Sequence, residues 1–323
     1  MNPGVGWYPV ELLQGADGEI ALHWQDLSAV PFTGPFFEDS LRRAKHGRAG
    51  RLQTKLRSLE PGSRRPFIAP TAFIFHTSRS GSTLLTQLLT CIDGCLAISE
   101  PPIIDEVFRL PQNREEKIAL FRNMVCTYAQ RRSEADRYFF LKHDSWHVRW
   151  FPLVREAFPE TPCFFVYRHP VEILWSHFRQ RGSQMVPGLR DAALFDMVPE
   201  SVEPADLNAY AARVLESIFT RALPFVKEGG LIPLVHQQLG QNPLECIQRM
   251  GIAPSAVERA RIEARSRFHS KKTGDMYWAE TEKAVPDSIR LRLEELSSPS
   301  LVPCYEALES LRLRSPARAS AGS

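Results

Sequence analysis

The stretch Ala72-Phe73-Ile74-Phe75-His76-Thr77-Ser78-Arg79-Ser80-Gly81-Ser82-Thr83-Leu84-Leu85 limits what this chain can fold into more than any other. Its first residues read as a buried strand, the hydroxyl- and glycine-rich middle as a tight turn, and Ser82 onward as the opening of an amphipathic helix. A strand that feeds a helix through so short a turn makes a cradle for an anion. Backbone N–H groups, the positive end of the helix and the Arg79 guanidinium converge there without a metal. The same residues also suit a plainer role, a turn whose glycine lets helix and sheet pack closely.

From Pro66 onward, apolar runs at 72–75, 138–142, 163–167 and 231–235 alternate with helical patterns near 83–91, 115–132, 146–158, 171–180 and 206–226. That alternation predicts an α/β fold with a mainly parallel sheet covered by helices on both faces. Ligands of such sheets bind beyond the carboxyl ends of the strands, which gathers Arg79, Lys142 and Arg168 at one rim. Residues 1–60 read differently, as an appendage: a hairpin from 5–13 and 19–24, a helix from Phe36 to His46, then a basic linker from Arg48 to Arg65. The α/β domain is expected over 66–313, and 314–323 reads as a flexible tail.

With 323 residues, 43% of them hydrophobic, the chain can bury a large core. Its formal charge is only +3, from 40 basic and 37 acidic side chains, which argues against nucleic acid as a partner. No long apolar span or secretory segment is visible, so a soluble, cytoplasmic protein without a transmembrane segment is expected. The six cysteines form neither a metal-ligand array nor a disulfide framework and read as free thiols. No metal site is expected. Oligomeric state is open.

A second strand-to-helix junction narrows the chemistry. Cys163-Phe164-Phe165-Val166-Tyr167 is a continuous apolar run, and Arg168-His169-Pro170 leads into a helix on which Ser176 lies about two turns further on. Arginine offers a planar fork to phosphate oxygens and serine a hydroxyl. The first turn is not a Walker A loop, since G-x-x-x-x-G-K-[ST] counted back from Gly81 puts His76 at the first glycine and Ser82 at the lysine. A simple ATPase or GTPase is disfavoured. Arg79-Ser80-Gly81-Ser82-Thr83 instead resembles the 5′-phosphosulfate loop of sulfotransferases that use 3′-phosphoadenosine 5′-phosphosulfate (PAPS). Arg168 with Ser176 resembles their 3′-phosphate motif. In style the motifs are nearest to bacterial and tyrosylprotein-type sulfotransferases.

The resemblance covers roughly residues 66–275. It implies a three-layer, P-loop NTPase-like fold, PAPS as the sulfuryl donor, no metal, and a small-molecule or peptide acceptor whose hydroxyl or amine takes the sulfuryl group. It implies cofactor binding by Arg79, Ser80, Gly81, Ser82, Thr83, Arg168 and Ser176. Lys271 and Lys272, in a basic turn-prone stretch, resemble the loop that closes over the 3′-phosphate. Glu100, set before Pro101 and Pro102, resembles the general base. Lys142 resembles the lysine that stabilises the leaving group. His143 is the second candidate base, although its adjacency to Lys142 turns it to the opposite face of an extended strand. One departure stands out: after the strand at 231–235, many relatives carry a tyrosine or acidic residue, whereas this chain has His236-Gln237-Gln238-Leu239. Two other classes remain open, a small-molecule or nucleotide kinase with a variant phosphate loop and a noncatalytic nucleotide-binding protein.

Overall fold

A computed structural model describes residues 3–15, 18–46, 50–59, 66–197, 206–267 and 286–314. The N-terminal hairpin is present as β1 (Trp7–Gln14) and β2 (Ile20–Asp26), and α1 (Phe37–His46) follows. Part of the expected linker is instead a third strand, β3 (Arg51–Lys55), antiparallel to β2. Four of its five residues are exposed, so it carries no apolar alternation to betray it.

The larger part is built from β4 (Pro70–His76), α2 (Ser82–Leu89), β5 (Cys95–Ser99), α3 (Pro102–Arg109), α4 (Arg114–Tyr128), β6 (Tyr138–Lys142), α5 (Phe151–Ala157), β7 (Cys163–Tyr167) and α6 (Pro170–Arg179). After these come α7 (Leu207–Lys227), β8 (Ile232–Val235), α8 (His236–Gln241), α9 (Pro243–Arg249), α10 (Ala256–Ser266), α11 (Asp287–Ser297) and α12 (Leu301–Arg314). Five parallel strands lie in the order β5-β6-β4-β7-β8, with the strand that feeds the glycine turn at the centre. This is the expected three-layer α/β architecture.

Alternate residues of these strands enter two separate cores. Ala72, Ile74, Phe140, Phe164 and Val166 face a cluster with Leu85, Leu88 and Leu89 of α2 and Ile247 of α9. Phe73, Phe75, Phe139, Leu141 and Phe165 face a larger one with Phe108, Phe121 and Phe219. Strands buried on both faces need apolar residues at every position, which is why β6 and β7 read as unbroken runs. Each such side chain contributes about 1.5–3 kcal/mol when fully buried.

Two local expectations are refined. The helix expected over 146–158 is a 3-10 segment, Ser145–Trp150, followed by α5, because Pro152 lacks an N–H and disfavours an unbroken α-helix through that point. The strand β5 went unanticipated: it is short, holds the small residues Ala97 and Ser99, and follows directly on a turn at Gly94.

The N-terminal sheet rests on α3 and α4. Tyr8, Phe32, Phe37 and Tyr128 form one aromatic cluster. Tyr128 Oη donates to Pro9 O (2.5 Å), and Leu12 N donates to Glu106 Oε2 (2.6 Å). Gln130 accepts from Gly6 N at 2.7 Å and donates to Trp7 O at 2.9 Å, while the Arg132 guanidinium donates to the carbonyls of Leu27, Ser28 and Val30. At the other end of the chain, α12 packs against α7, with Tyr167 Oη donating to Glu309. Among the described residues no helix is long and apolar enough to cross a membrane.

Candidate active site

Each parallel strand ends in a polar or charged residue at the same rim: His76 for β4, Lys142 for β6, and, one residue past the strand, Glu100 for β5, Arg168 for β7 and His236 for β8. The register Ser99↔Lys142 sets Glu100 beside Lys142, and Glu100 N donates to Lys142 O at 2.8 Å. Lys142 Nζ lies 2.8 Å from Glu100 Oε1 and 3.3 Å from Thr83 Oγ1, joining the acidic position to the first turn of α2. The lysine is fully buried and the glutamate side chain 21% exposed, so Glu100 is the member of the pair that solvent or a ligand reaches.

Glu100 also meets a residue that sequence reasoning passed over. His76 Nε2 lies 3.3 Å from Glu100 Oε1 and 3.0 Å from His143 O, and His76 Nδ1 lies 2.9 Å from Thr77 O. Its ring nitrogens therefore face oxygens, which a neutral imidazole meets with one N–H and an imidazolium with two. Burial pushes the Glu100 carboxyl up, but Lys142 and His76 together outweigh it and hold the group well below the usual carboxylate range. Glu100 has φ +51, in the left-handed region, and Pro101 after it disfavours right-handed backbone. Such a conformation costs on the order of 1–3 kcal/mol and persists where its surroundings over-determine it. Here the Lys142 and His76 contacts do so.

The turn at 77–81 is strained in the same way. Among the described residues three non-glycines have positive φ, and Arg79 (φ +60) joins Glu100 as the second of them at this rim. Gly81 (φ +86) is the N-cap of α2 and supplies no capping side chain, so the first-turn N–H groups point out of the turn as an anion-binding nest. Ser80 Oγ donates back to Thr77 O at 2.6 Å, bracing the turn from within. Gly182 N donates to His177 Nδ1 (3.2 Å), leaving Nε2 to donate to Ser78 Oγ (2.7 Å). The Arg79 guanidinium donates to Gln180 O at 2.6 Å and so is drawn toward the end of α6.

His236, the departure noted in the sequence, packs directly on this turn. Its Nδ1 donates to Ser80 O at 3.1 Å, and a Cβ on Gly81 would stand 2.6 Å from that nitrogen, so any side chain there would force the imidazole to shift. Burial, and then the neighbouring Arg168 charge, push the His236 imidazole down to about 4. Arg168 Nε, just past β7, donates at 2.5 Å to Glu172 Oε2 in the first turn of α6, and Ser176, half-buried, lies a further turn on. Arg168 and Glu172 are both partly open, at 27% and 40%.

The structure thus brings Ser80, Gly81, Ser82, Thr83, Glu100 and Lys142 together, with Arg168 and Ser176 on the next strand and helix. His143 is not brought to this group. It lies on the other sheet face, stacked on Phe75 with centroids 4.5 Å apart and beside Phe73, Phe108 and Phe121, and neither ring nitrogen has a hydrogen-bond partner among the described residues. Burial, then His147 and His76, push its imidazole well below the usual range. Lys271 and Lys272 lie outside the described residues. Asp144, two residues past Lys142, was also missed: burial, then Glu100 and Asp105, push its carboxyl well above the usual range. Cys91 and Cys95 are free thiols. Among the described residues no trio of His, Cys, Asp or Glu side chains is arranged to hold a metal ion.

No family model matches the chain, and no curated protein sequence matches it either. Among solved structures, a sulfotransferase from Alicyclobacillus acidocaldarius is similar over 77% of this chain and 97% of its own, with 14% identity and a TM-score of 0.41. The sulfotransferase domain of the Synechococcus PCC 7002 olefin synthase is similar over 80% of this chain and 99% of its own, with 13% identity and a TM-score of 0.39. Both are sulfotransferases.

Proposed function

We propose that this protein is a sulfotransferase that moves a sulfuryl group from PAPS to a hydroxyl or amine of an acceptor, releasing adenosine 3′,5′-bisphosphate. The observation that carries this reading is the contact of Glu100 with Lys142 and of Lys142 with Thr83, which joins a carboxylate to the head of a glycine-turn helix. The residues present fit the donor. Gly81 leaves the α2 N–H groups uncapped for an anion, and Arg168 offers a guanidinium one strand away. When bound, PAPS supplies a sulfuryl group on a phosphate leaving group. The acceptor is a small molecule or a peptide, and the protein acts in the cytoplasm.

In this reading Glu100 takes the proton of the acceptor, and Lys142 places positive charge where the leaving side becomes negative. The strong hold of Lys142 and His76 on Glu100 makes it a weak base at rest. An anion held at the N-terminus of α2 would draw on the Lys142 charge and so raise the basicity of Glu100, which would tie acceptor activation to donor binding.

The test is thermal unfolding with adenosine 3′,5′-bisphosphate beside ATP with magnesium. Ligand at about a hundred times its dissociation constant adds about 2.7 kcal/mol of apparent stability. Metal-independent stabilisation by the bisphosphate, lost in Arg168→Ala, is expected. With PAPS and an acceptor found by screening, Glu100→Gln should lower turnover by about 10²-fold or more while leaving that stabilisation intact. Preference for ATP with magnesium would replace this reading with a kinase. Stabilisation without any turnover would leave a nucleotide-binding protein.

A further inference from the structure

The N-terminal region reaches the buried ion pair through the Phe36 side chain. Phe36 lies with its ring centroid 5.0 Å from Lys142 Nζ, at cation–π distance, on an ammonium that Glu100 and Thr83 also contact. Phe32, Phe36 and Phe37 face Ala97, Ile98 and Ser99 across a narrow cleft, and that wall runs straight into Glu100.

The sequence around Phe36 fixes the ring in place. Phe36 N donates to Asp39 Oδ2 at 2.9 Å, closing the turn that opens α1. Gly34 allows that closure, since a Cβ there would stand 2.8 Å from Asp39 Cβ. Phe37, the next residue, is anchored against Tyr128 with centroids 5.3 Å apart. Thr33 O accepts from Gln87 Nε2 of α2 at 3.1 Å, and Gln87 Oε1 accepts from Arg265 of α10 at 2.6 Å. The segment is therefore tied to the helix whose first turn holds Thr83.

We propose that Phe36 is a positioning residue for the reaction: its ring fixes the Lys142 ammonium between Glu100 and Thr83 and closes that side of the pair to water. This rests on the sulfotransferase reading and adds the N-terminal region to the site. An aromatic face attracts the cation without accepting a proton or competing as a full anion, so it holds Lys142 in place without displacing either oxygen partner.

The experiment compares Phe36→Leu, Phe36→Trp and the packing control Phe32→Leu. With PAPS and an acceptor, Phe36→Leu should lower kcat about tenfold, with unchanged KM for PAPS and an unchanged thermal shift by adenosine 3′,5′-bisphosphate. Phe36→Trp should restore most of kcat, and Phe32→Leu should lose Tm but keep kcat. Equal loss in the Leu and Trp variants at position 36, or full activity of Phe36→Leu, overturns the proposal. A second measurement needs no turnover. The Tm loss of Phe36→Leu is compared in the wild-type chain and in a Glu100→Gln, Lys142→Met background, where the ammonium is gone and no buried charge is stranded. A loss smaller by about 2 °C in that background supports the contact, and equal losses overturn it. If the bisphosphate fails to bind the wild-type chain, the sulfotransferase reading falls, while this comparison still decides whether Phe36 holds Lys142.

Discussion

The two halves of the rim solve the problem of placing charge in opposite ways. On the β5 and β6 side, Lys142 is fully buried and its charge is met inside the protein by Glu100, Thr83 and the Phe36 ring. On the β7 and β8 side, Arg168 is partly open and its partner Glu172 sits one helical turn away, in a pair that water and salt screen. The first arrangement is rigid, and removing one member leaves the other charge stranded. The second costs little to open, which would suit the proposed exchange of Glu172 for a phosphate. The difference teaches that preorganisation is concentrated where bonds would be made and broken, and that the neighbouring strand holds its cation loosely.

The sharpest way to break this comparison is Lys142→Met. It strands Glu100 beside buried surroundings and should destabilise the protein by about 3–5 kcal/mol in urea unfolding, with Glu100→Gln in the same chain recovering most of the loss. A cost below about 1 kcal/mol would mean that the buried pair behaves like the open one. Next comes Gly81→Ala, which joins a strained φ to a collision with His236 and should cost about 1–3 kcal/mol by the same assay. Adding His236→Ala removes the collision but not the strain, so only part of that loss should return.

Smaller effects lie on the open side. Burial pushes the folded His236 imidazole down to about 4, against an ordinary value of about 6.5, so the unfolded chain takes up that proton first as pH falls. Stability from this group is complete above about pH 6.5 and declines toward about pH 4. His236→Gln should flatten that part of the stability profile, as urea midpoints across the range will show. Arg168→Ala should raise the His236 titration midpoint, readable by NMR, because the arginine charge is the second cause of its depression after burial. Its own cost to the unliganded protein should be the smallest, about 0.5 kcal/mol or less by urea unfolding.

The sequence spoke most clearly where a residue's role is local. β6 and β7 need apolar side chains on both faces, so they stand out as unbroken runs, and the turn at 77–81 carries its glycine and hydroxyls within a few residues. The opposite facings of Lys142 and His143 follow from strand alternation alone, and the structure has them so. What stayed hidden depends on pairing between distant segments. The exposed β3 earns its place only by hydrogen bonding to β2. His76 closes an apolar run and turned out to face Glu100 once β5 was beside β6. His236 stood out as a misfit to the resemblance, and its packing on Gly81 is set by the register of β7 with β8. Phe36 reaches Lys142 from more than a hundred residues away.

The lodging of the first sheet on α3 and α4 also bears on how the chain is made. β1, β2 and β3 leave the ribosome before Tyr128, which packs on Tyr8, and before Gln130 and Arg132; all three bind nearby carbonyls and are translated about 75 residues after Lys55. At about 5–20 residues per second that is roughly 4–15 s. During that interval Tyr8 of the sheet, Phe32, and Phe37 of α1 lack the Tyr128 ring that completes their cluster, so the N-terminal region waits on a helix not yet synthesised.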